Sequence, residues 1–278
     1  MNTGSVKKAV IDTYGKLAKS KQHAILPKIS TCCKSSDTPQ QLGEEIGYSM
    51  EELNSAPEAS NLGVGCGNPS ALSKIQTGDT VIDLGSGAGF DAFLVSPIVG
   101  KSGLVIGVDL SDEMLSLATS NAKKGNYSNV KFIKGDIEEL PLDDQVADYT
   151  ISNCVINLSL NKQKVFNEAF RVLKSGGGLL VSDIVLEKEL PDFLHNSLTG
   201  HIACISGTEK LNHYLQYVED AGFSNVQVVD KKIFPLELVF TDPQVAKIAT
   251  ELNFTLDSAE AQDIASRISS ISISADKQ

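Results

Sequence analysis

Short apolar runs alternate with helix-like segments through the middle of the chain, and this alternation constrains the fold more than any other feature. Five runs have strand length, and three of them are rich in β-branched residues: Thr80–Leu84, Leu104–Leu110, Val130–Ile133, Asp148–Ser152 and Gly178–Ser182. Strands that alternate with helices favour a parallel sheet, because each helix carries the chain back to the edge where the previous strand began. We therefore expect an α/β fold with helices on both faces of one sheet.

Helix signals occupy the gaps between these runs and extend towards the N-terminus. Ser111 is a suitable N-cap, and Asp112 and Glu113 follow it in the first turn, where acidic side chains favour the helix dipole. The spacing of apolar residues predicts further helices over residues 3–20, 38–46 and 162–173. The helices within the alternating region are expected to flank the sheet.

The pattern weakens beyond Asp183. It predicts a polar segment to about Thr208, a helix over residues 209–222 and a strand over residues 226–234. The tail from Pro243 is expected to form one or two amphipathic helices, and its serine-rich stretch, Ser266–Ser274, is expected to fray.

The balance of charge argues against several classes of partner. The chain carries 24 basic and 35 acidic side chains, and the formal net charge of −11 opposes the attraction to phosphates that nucleic-acid binders depend on. The first twenty residues contain no apolar core of signal-peptide length, and no window reaches the ~18 apolar residues of a membrane helix. We therefore expect a cytoplasmic protein that binds neither nucleic acid nor a membrane.

A glycine-rich turn follows the first expected strand. Residues 85–89 read Gly-Ser-Gly-Ala-Gly, and glycines at such a turn let a ligand approach the backbone. A dinucleotide site would require Gly-x-Gly-x-x-Gly, but counting from Gly85 and Gly87 places Phe90 at the last glycine position. The turn therefore argues against a nicotinamide cofactor.

The stretch from Asp83 to Gly89, Asp-Leu-Gly-Ser-Gly-Ala-Gly, resembles the first motif of class I S-adenosylmethionine-dependent methyltransferases. Asp109 ends the second strand and can accept both ribose hydroxyls, and Asp136 follows the third strand, where such enzymes bind adenine. The resemblance implies a mostly parallel, Rossmann-like class I methyltransferase sheet with S-adenosyl-L-methionine as co-substrate. The residues that it assigns to this co-substrate are Asp83, Gly85, Ser86, Gly87, Asp109, Leu110, Met114, Asp136, Ile137 and Asn153.

Five scattered cysteines, an odd number, are expected to be free thiols rather than a disulfide framework. Cys154 lies at the carboxyl end of the fourth strand, where open α/β sheets bind ligands. Cys66 lies between glycines before the sheet and Cys204 after the fifth strand, so both can fold over the same edge. Three thiols there would select a soft centre, and the close cysteine spacing of a zinc site is absent. Each cysteine could instead be a small buried hydrophobic residue.

Trivalent arsenic binds three sulfurs in a pyramid, and its lone pair can attack a methyl group without a general base. The sequence around the thiols resembles arsenite methyltransferases in Gly65-Cys66-Gly67, in Ser-Asn-Cys-Val-Ile-Asn-Leu at residues 152–158, and in Cys204 with the following Ser206-Gly207. The resemblance implies that Cys66, Cys154 and Cys204 bind arsenic, delivered as arsenite or its thiol conjugates. It also implies that Cys32 forms a disulfide with Cys66 as methylation oxidises the metalloid. A thiol reductant, thioredoxin or glutathione, would then restore the enzyme.

The chain departs from that family at three points. Ile202-Ala203 precedes Cys204, where the family often has Gly-Glu, so any role of that glutamate is missing. Cys33 stands beside Cys32, and the relay role is open between them. No family pattern is visible after Phe234.

These observations divide the chain into four parts. They are N-terminal helices and cysteine loops (1–70), a methyltransferase core (71–185), an arsenic-binding insertion with completion of the sheet (186–240) and a helical tail (241–278).

Two other functions are compatible with the residues. A methyltransferase for a small organic acceptor would hold its cysteines in the core, and serine at Cys66, Cys154 or Cys204 would leave its activity intact. A thiol-based metalloid binder would keep the fold without catalysis, although the negative charge and the lack of a basic DNA-reading helix argue against a repressor.

Asp183 can face the site or cap a loop. The four histidines lack metal-ligand spacing and are expected to be solvated or locally bonded: His23, His195, His201 and His213.

Overall fold

A seven-stranded sheet forms the centre of the protein in a computed structural model that describes residues 3–22, 39–72, 74–189, 207–234 and 258–278. Its strands are β1 (Thr80–Leu84), β2 (Leu104–Asp109), β3 (Val130–Lys134), β4 (Ala147–Asn153), β5 (Leu173–Leu186), β6 (Ser224–Ile233) and β7 (Ile268–Asp276). They lie side by side in the order β3-β2-β1-β4-β5-β7-β6.

Eight α-helices are present among the described residues. They are α1 (Thr3–Gln22), α2 (Pro39–Glu45), α3 (Met50–Ser55), α4 (Phe90–Val99), α5 (Asp112–Lys124), α6 (Lys162–Val172), α7 (Leu211–Asp220) and α8 (Ala259–Ala265). Ser111 caps α5 as expected, since its side chain accepts a hydrogen bond from the backbone N–H of Met114 at 3.3 Å.

The first five strands run parallel, which confirms the fold class expected from the alternating pattern. Leu84 at the end of β1 pairs with Val108 of β2 on one side and with Ser152 of β4 on the other. The carboxyl ends of these strands consequently meet at one edge of the sheet, called the carboxyl edge below. Among the seven strands β7 alone runs in the opposite direction, because it pairs antiparallel with both β5 and β6.

Both faces of the sheet are covered by apolar side chains. On one face, Phe166 of α6 and Tyr214 of α7 are fully buried against the sheet, and their rings meet edge to face at 5.4 Å. On the other face, Phe93 of α4 packs in a cluster with Ile151 and Leu180. This two-sided burial explains why the central strands read as continuous apolar runs.

The chain after Pro243 departs from expectation. The prediction of a helical, fraying tail is wrong for residues 268–276, which form β7 in the interior of the sheet between β5 and β6. Ile271 and Ile273 are at most 1% exposed, because the isoleucines alternate with serines and both faces of the strand are covered. The short helix α8 fits the expectation, and residues 235–257 lie outside the described part of the chain.

Helix α1 lies against α5 at the end of the sheet nearest the glycine turn. Ala18 is fully buried there in a cluster with Ala88, Met114 and Leu117. Among the residues that the structure describes, no helix has the length and apolar character needed to cross a membrane.

The position of β7 predicts unequal costs for two isoleucine substitutions on adjacent strands. Ile273→Ala should lower the free energy of unfolding by about 2–5 kcal/mol, because a fully buried side chain leaves a cavity in the sheet. Ile233→Ala on β6 is the matched control; its side chain is 67% exposed and should cost within about 0.5 kcal/mol. Urea denaturation measures both, and equal losses would contradict an interior β7.

Candidate active site

One cleft opens at the carboxyl edge, and the residues assigned to the co-substrate from sequence all lie in its wall. The cleft encloses about 1320 Å³, counted with its open mouth. Its wall includes Asp83, Gly85, Ser86, Gly87, Asp109, Leu110, Met114, Asp136, Ile137 and Asn153. Cys154 lines the same cleft, so a thiol stands beside the region assigned to the co-substrate.

The glycine turn and Asp109 are joined by backbone hydrogen bonds. Gly87 has φ 52°, a left-handed conformation that favours glycine, and its N–H donates to Asp109 Oδ2 at 2.9 Å. The N–H of Ser111 donates to Asp109 Oδ1 at 2.8 Å. A Cβ at Gly87 would meet no atom within 4 Å, so this side of the turn faces open space. The turn therefore presents its backbone to a ligand while Asp109 is held at the rim.

Three buried carboxyl groups line the cleft and favour a cationic ligand. Burial, followed by the nearby charges of Asp91 and Asp109, raises the pKa of Asp83 well above its usual range. Burial also raises the pKa of Asp109 and raises that of Asp91 to about 6. Asp83 Oδ2 and Ser86 Oγ are buried and have no hydrogen-bond partner among the described residues. S-adenosylmethionine carries an ammonium and a sulfonium group, and its positive charge would stabilise the ionised carboxylates that burial disfavours.

Helix α1 contributes to the wall of the cleft near Asp136, a feature that the sequence patterns did not reveal. Lys7 Nζ lies 2.6 Å from Asp136 Oδ2 and 2.9 Å from Glu138 Oε2. Val10 and Tyr14 of the same helix also line the cleft. Asp136, the residue assigned to adenine, therefore also forms an ion pair with a lysine of the N-terminal helix.

The chain turns sharply at Cys154, immediately after β4. Cys154 has φ 56°, an uncommon left-handed conformation for a residue with a side chain, and its N–H donates to the carbonyl of Ser182 at 2.9 Å. Such backbone conformations are retained where the surrounding structure enforces them, and they cluster at functional sites. The turn brings the Cys154 side chain to the carboxyl edge.

Cys66 is brought to the same place by its loop, which packs closely on β4 and β5. The thiol is 1% exposed, and its Sγ lies 3.6 Å from the carbonyl oxygen of Ser182. A Cβ at Gly67 would lie 2.7 Å from the Ser182 side chain, so the residue after Cys66 must be glycine for this close approach. On β7, the hydroxyl of Ser270 donates to the Cys66 carbonyl.

Asn153 connects this loop to the cleft. Its Oδ1 accepts the N–H of Cys66 at 3.0 Å, and its Nδ2 donates to the Gly67 carbonyl at 2.8 Å. The same Nδ2 lies 2.8 Å from the Tyr48 hydroxyl and 3.1 Å from Asp91 Oδ2, and Tyr48 donates to the other oxygen of Asp91. Asn153, assigned to the co-substrate from sequence, is thus also the clamp that holds the Cys66 backbone.

Two of the three thiols assigned to arsenic meet at the carboxyl edge, together with a carboxylate. The Sγ atoms of Cys66 and Cys154 and one carboxylate oxygen of Asp183 all lie within 4.8 Å of one another. Asp183 therefore faces the thiols rather than only capping a loop. Cys204, Cys32 and Cys33 lie outside the described residues, as do three of the histidines: His23, His195 and His201. His213 is exposed on α7, and its Nδ1 lies 3.8 Å from Glu209 Oε2, in agreement with the expected solvated residue.

Asp183 is fully buried and held by three donors. The side-chain amide of Asn157 and the N–H of Ile184 donate to Oδ1 at 2.8 and 2.9 Å, and the Tyr214 hydroxyl donates to Oδ2 at 2.9 Å. Burial raises the pKa of Asp183 to about 6, although these hydrogen bonds and the charge of Lys162 oppose the shift.

Sequence reasoning did not single out Tyr48, Asp91, Lys7 or Tyr214. Asp91 stands two residues after the glycine turn, so its position at the cleft could have been inferred from the motif. The other three come from distant segments, and no local pattern reveals where those segments pack.

Comparisons with known proteins find similarity to methyltransferases. The profile of a family described as a methyltransferase domain matches residues 75–245. An arsenite methyltransferase from Halobacterium salinarum is 41% identical over 203 residues, which cover 72% of this chain and 51% of that protein. An arsenite methyltransferase from Aquipseudomonas alcaligenes is 33% identical over 255 residues, which cover 88% of this chain and 69% of that protein. The chain thus spans about half the length of the first relative and more than two thirds of the second.

A solved structure shows a similar fold. The crystal structure of an arsenic(III) S-adenosylmethionine methyltransferase from Chlamydomonas reinhardtii superposes with a TM-score of 0.62 at 28% identity, covering 87% of this chain and 75% of that chain.

The Asn153 clamp predicts how fast Cys66 reacts with an alkylating reagent. Asn153→Ala removes both hydrogen bonds to the loop, and alkylation of Cys66, read peptide by peptide by mass spectrometry, should accelerate about tenfold. Asn129→Ala is the matched control, because Asn129 makes a comparable set of bonds to Ser96 and Gly100 on the opposite side of the domain. If both variants expose Cys66 equally, global loosening rather than the clamp is responsible.

The raised pKa of Asp183 predicts a pH-dependent stability. The folded state keeps this proton up to about pH 6, whereas the unfolded carboxyl releases it near 3.8, so the folded state binds more protons between these values. The stability from this group is therefore greatest below pH 4 and is lost as pH rises through 6. Relative to wild type, Asp183→Asn should gain on the order of 2–3 kcal/mol between pH 4 and 7 in urea denaturation. A pH-independent difference would show that Asp183 does not titrate in this range.

Proposed function

The chain belongs to the arsenite methyltransferase family, and we propose that it transfers methyl groups from S-adenosyl-L-methionine to trivalent arsenic held by its thiols. The observation that carries the proposal is the position of Cys154: it lines the cleft, and its sulfur lies within 4.8 Å of the Cys66 sulfur. A soft centre bound between these sulfurs would lie beside the co-substrate. The family relationship supports arsenite, or its thiol conjugates, as that centre.

The cleft residues supply the co-substrate site. Asp109 would accept hydrogen bonds from the ribose hydroxyls, and Asp83 Oδ2, buried without a partner among the described residues, would accept an N–H from a cationic group. S-adenosylmethionine, when bound, supplies a methyl group attached to a positively charged sulfur. The acidic wall compensates that charge in a buried site, where a cation would otherwise be costly.

The residues of the thiol site position the nucleophile and need not remove a proton from it. The lone pair of trivalent arsenic attacks, so catalysis consists of alignment and exclusion of water. Cys66 is nearly inaccessible and Asn153 fixes its backbone, which favours a defined direction for the bound arsenic. We assign the third sulfur to Cys204, following the family pattern.

Methylation makes arsenic formally pentavalent, and two electrons are needed to return it to the trivalent state. We propose that two cysteine thiols supply them by forming a disulfide, with Cys66 as one partner and Cys32 or the adjacent Cys33 as the other. A thiol reductant such as thioredoxin or glutathione then restores the thiols. This cycle requires a reducing compartment, which agrees with the cytoplasmic location expected from the sequence.

The first alternative is a methyltransferase for a small organic acceptor. The second alternative is a metalloid binder without turnover. The Cys66 and Cys154 sulfurs lie within 4.8 Å of each other, and this proximity favours a soft acceptor over an organic one. Turnover separates the proposed function from a binding role.

Two variants with opposite defects test the proposed function. Purified protein is incubated with arsenite, S-adenosylmethionine and a thiol reductant, and the arsenic species are separated by chromatography with element-specific detection. Wild type should yield methylated arsenic. Cys154→Ser should lose at least about 100-fold in turnover while it still binds S-adenosylmethionine, because an arsenic ligand is lost and the co-substrate wall is kept.

Asp109→Ala provides the reciprocal control. It should lose S-adenosylmethionine binding, measured by calorimetry, while arsenite still protects Cys66 and Cys154 from alkylation. Full methylation of arsenite by Cys154→Ser would exclude Cys154 as a required arsenic ligand. A wild-type protein that binds S-adenosylmethionine but neither binds nor methylates arsenite would favour the organic acceptor. Arsenite binding by wild type without any methylated product would favour the binding role.

A further inference from the structure

A carboxylate stands beside the two thiols, and the proposed function makes no use of it. Asp183 is fully buried on β5, and one of its oxygens lies within 4.8 Å of the sulfurs of both Cys66 and Cys154. A buried carboxylate has a substantial desolvation cost, so a position that faces two ligand atoms needs a physical reason.

The orientation of Asp183 is fixed from behind. Tyr214 donates to Oδ2 and is itself held by edge-to-face packing on Phe166, while Asn157 and the Ile184 N–H hold Oδ1. A carboxylate can accept about four hydrogen bonds, and these three donors leave capacity for one more. Groups that are oriented by a packed outer layer in this way are typical of ligand contacts.

We propose that Asp183 contacts the substrate directly: it accepts a hydrogen bond from the hydroxyl that remains on arsenic when Cys66 and Cys154 hold it. The contact favours inorganic arsenite over trivalent arsenicals that carry carbon at that position. The inference rests on the proposed function for the identity of the metalloid, but it concerns binding and is tested without methyl transfer.

The exchange of As–O bonds for As–S bonds determines which group on arsenic Asp183 contacts. Arsenous acid carries three hydroxyls, and each As–S bond forms as an As–O bond breaks, with the thiol proton leaving on the hydroxyl as water. Two exchanges leave one As–OH, arsenic stays trivalent, and the bound species is neutral. A hydrogen bond from this hydroxyl to a carboxylate is charge-assisted and therefore stronger than a neutral one.

An arsenical with one As–C bond behaves differently. It has only two exchangeable hydroxyls, both are lost to the two thiols, and its carbon group offers Asp183 no donor. Where Cys204 later displaces the last hydroxyl, the contact acts in the two-sulfur complex that precedes that step. Asp183 is consequently expected to act on the first methylation more than on later ones.

A protein with only two thiols isolates this contact. Replacing Cys32, Cys33 and Cys204 by serine in the full chain leaves Cys66 and Cys154 as its only cysteines. Arsenite and phenylarsine oxide, which reacts as a dihydroxide with one carbon substituent, are the two probes. Dissociation constants come from protection of the thiols against alkylation, without S-adenosylmethionine.

Adding Asp183→Asn to this background should weaken arsenite binding about tenfold and change phenylarsine oxide binding less than about twofold. Equal weakening for both probes would indicate a structural role, and no change for either would mean no contact; both results overturn the proposal. Absence of arsenite binding to the two-thiol protein would overturn it as well.

Two further variants complete the design. Asp148→Asn, on β4 and paired with Lys174 at 2.8 Å, is the control for a carboxylate-to-amide change outside the thiol site and should change neither constant. If Asp183→Asn does not fold, Tyr214→Phe keeps the ring and removes the donor to Oδ2, and it should weaken arsenite binding selectively by a smaller factor. If the two-thiol protein shows this selective loss while the wild-type chain produces no methylated arsenic, this inference is retained and the proposed function is rejected.

Discussion

The side-chain amide of Asn153 is the interaction on which the arrangement of the site depends. It satisfies the N–H of Cys66 and the carbonyl of Gly67, so the loop is attached to the end of β4 through both polar groups of one residue. The same amide contacts Tyr48 and Asp91, which belong to the wall of the cleft. One side chain therefore couples the position of the Cys66 loop to the wall of the cleft.

Acidic side chains in buried positions are the second constraint. Asp83, Asp91 and Asp109 lie around one cleft with raised pKa values, and Asp183 stands beside the thiols behind it. If all four carboxyl groups were ionised in the absence of a cation, the folded state would lose stability. The acidic surroundings and the clamp on Cys66 are thus complementary: one favours a positively charged donor, and the other presents a soft acceptor to it.

Local sequence patterns were sufficient to predict the parallel strands of the sheet and the residues that line the cleft. The glycine turn, Asp109 and Asp136 follow successive strands, and strands of a parallel sheet end at a common edge, so their convergence could be predicted. The placement of Tyr48, Lys7 and Tyr214 could not, because it depends on packing between distant segments. The alternation of isoleucine and serine within residues 268–276 is a strand signal, but a serine-rich segment is also typical of a fraying terminus, so composition predicts the wrong structure for β7.

The interior position of β7 has a consequence for how the protein is made. The Ser270 hydroxyl donates a hydrogen bond to the carbonyl of Cys66, and the hydroxyl oxygens of Ser272 on β7 and Ser182 on β5 lie 3.2 Å apart. On the ribosome, Cys66, Cys154 and Asp183 all emerge well before this strand is synthesised. The nascent chain therefore passes through a period in which its thiols are reachable but their final support is missing, and toxic metalloid or oxidant encountered then would meet an unfinished site.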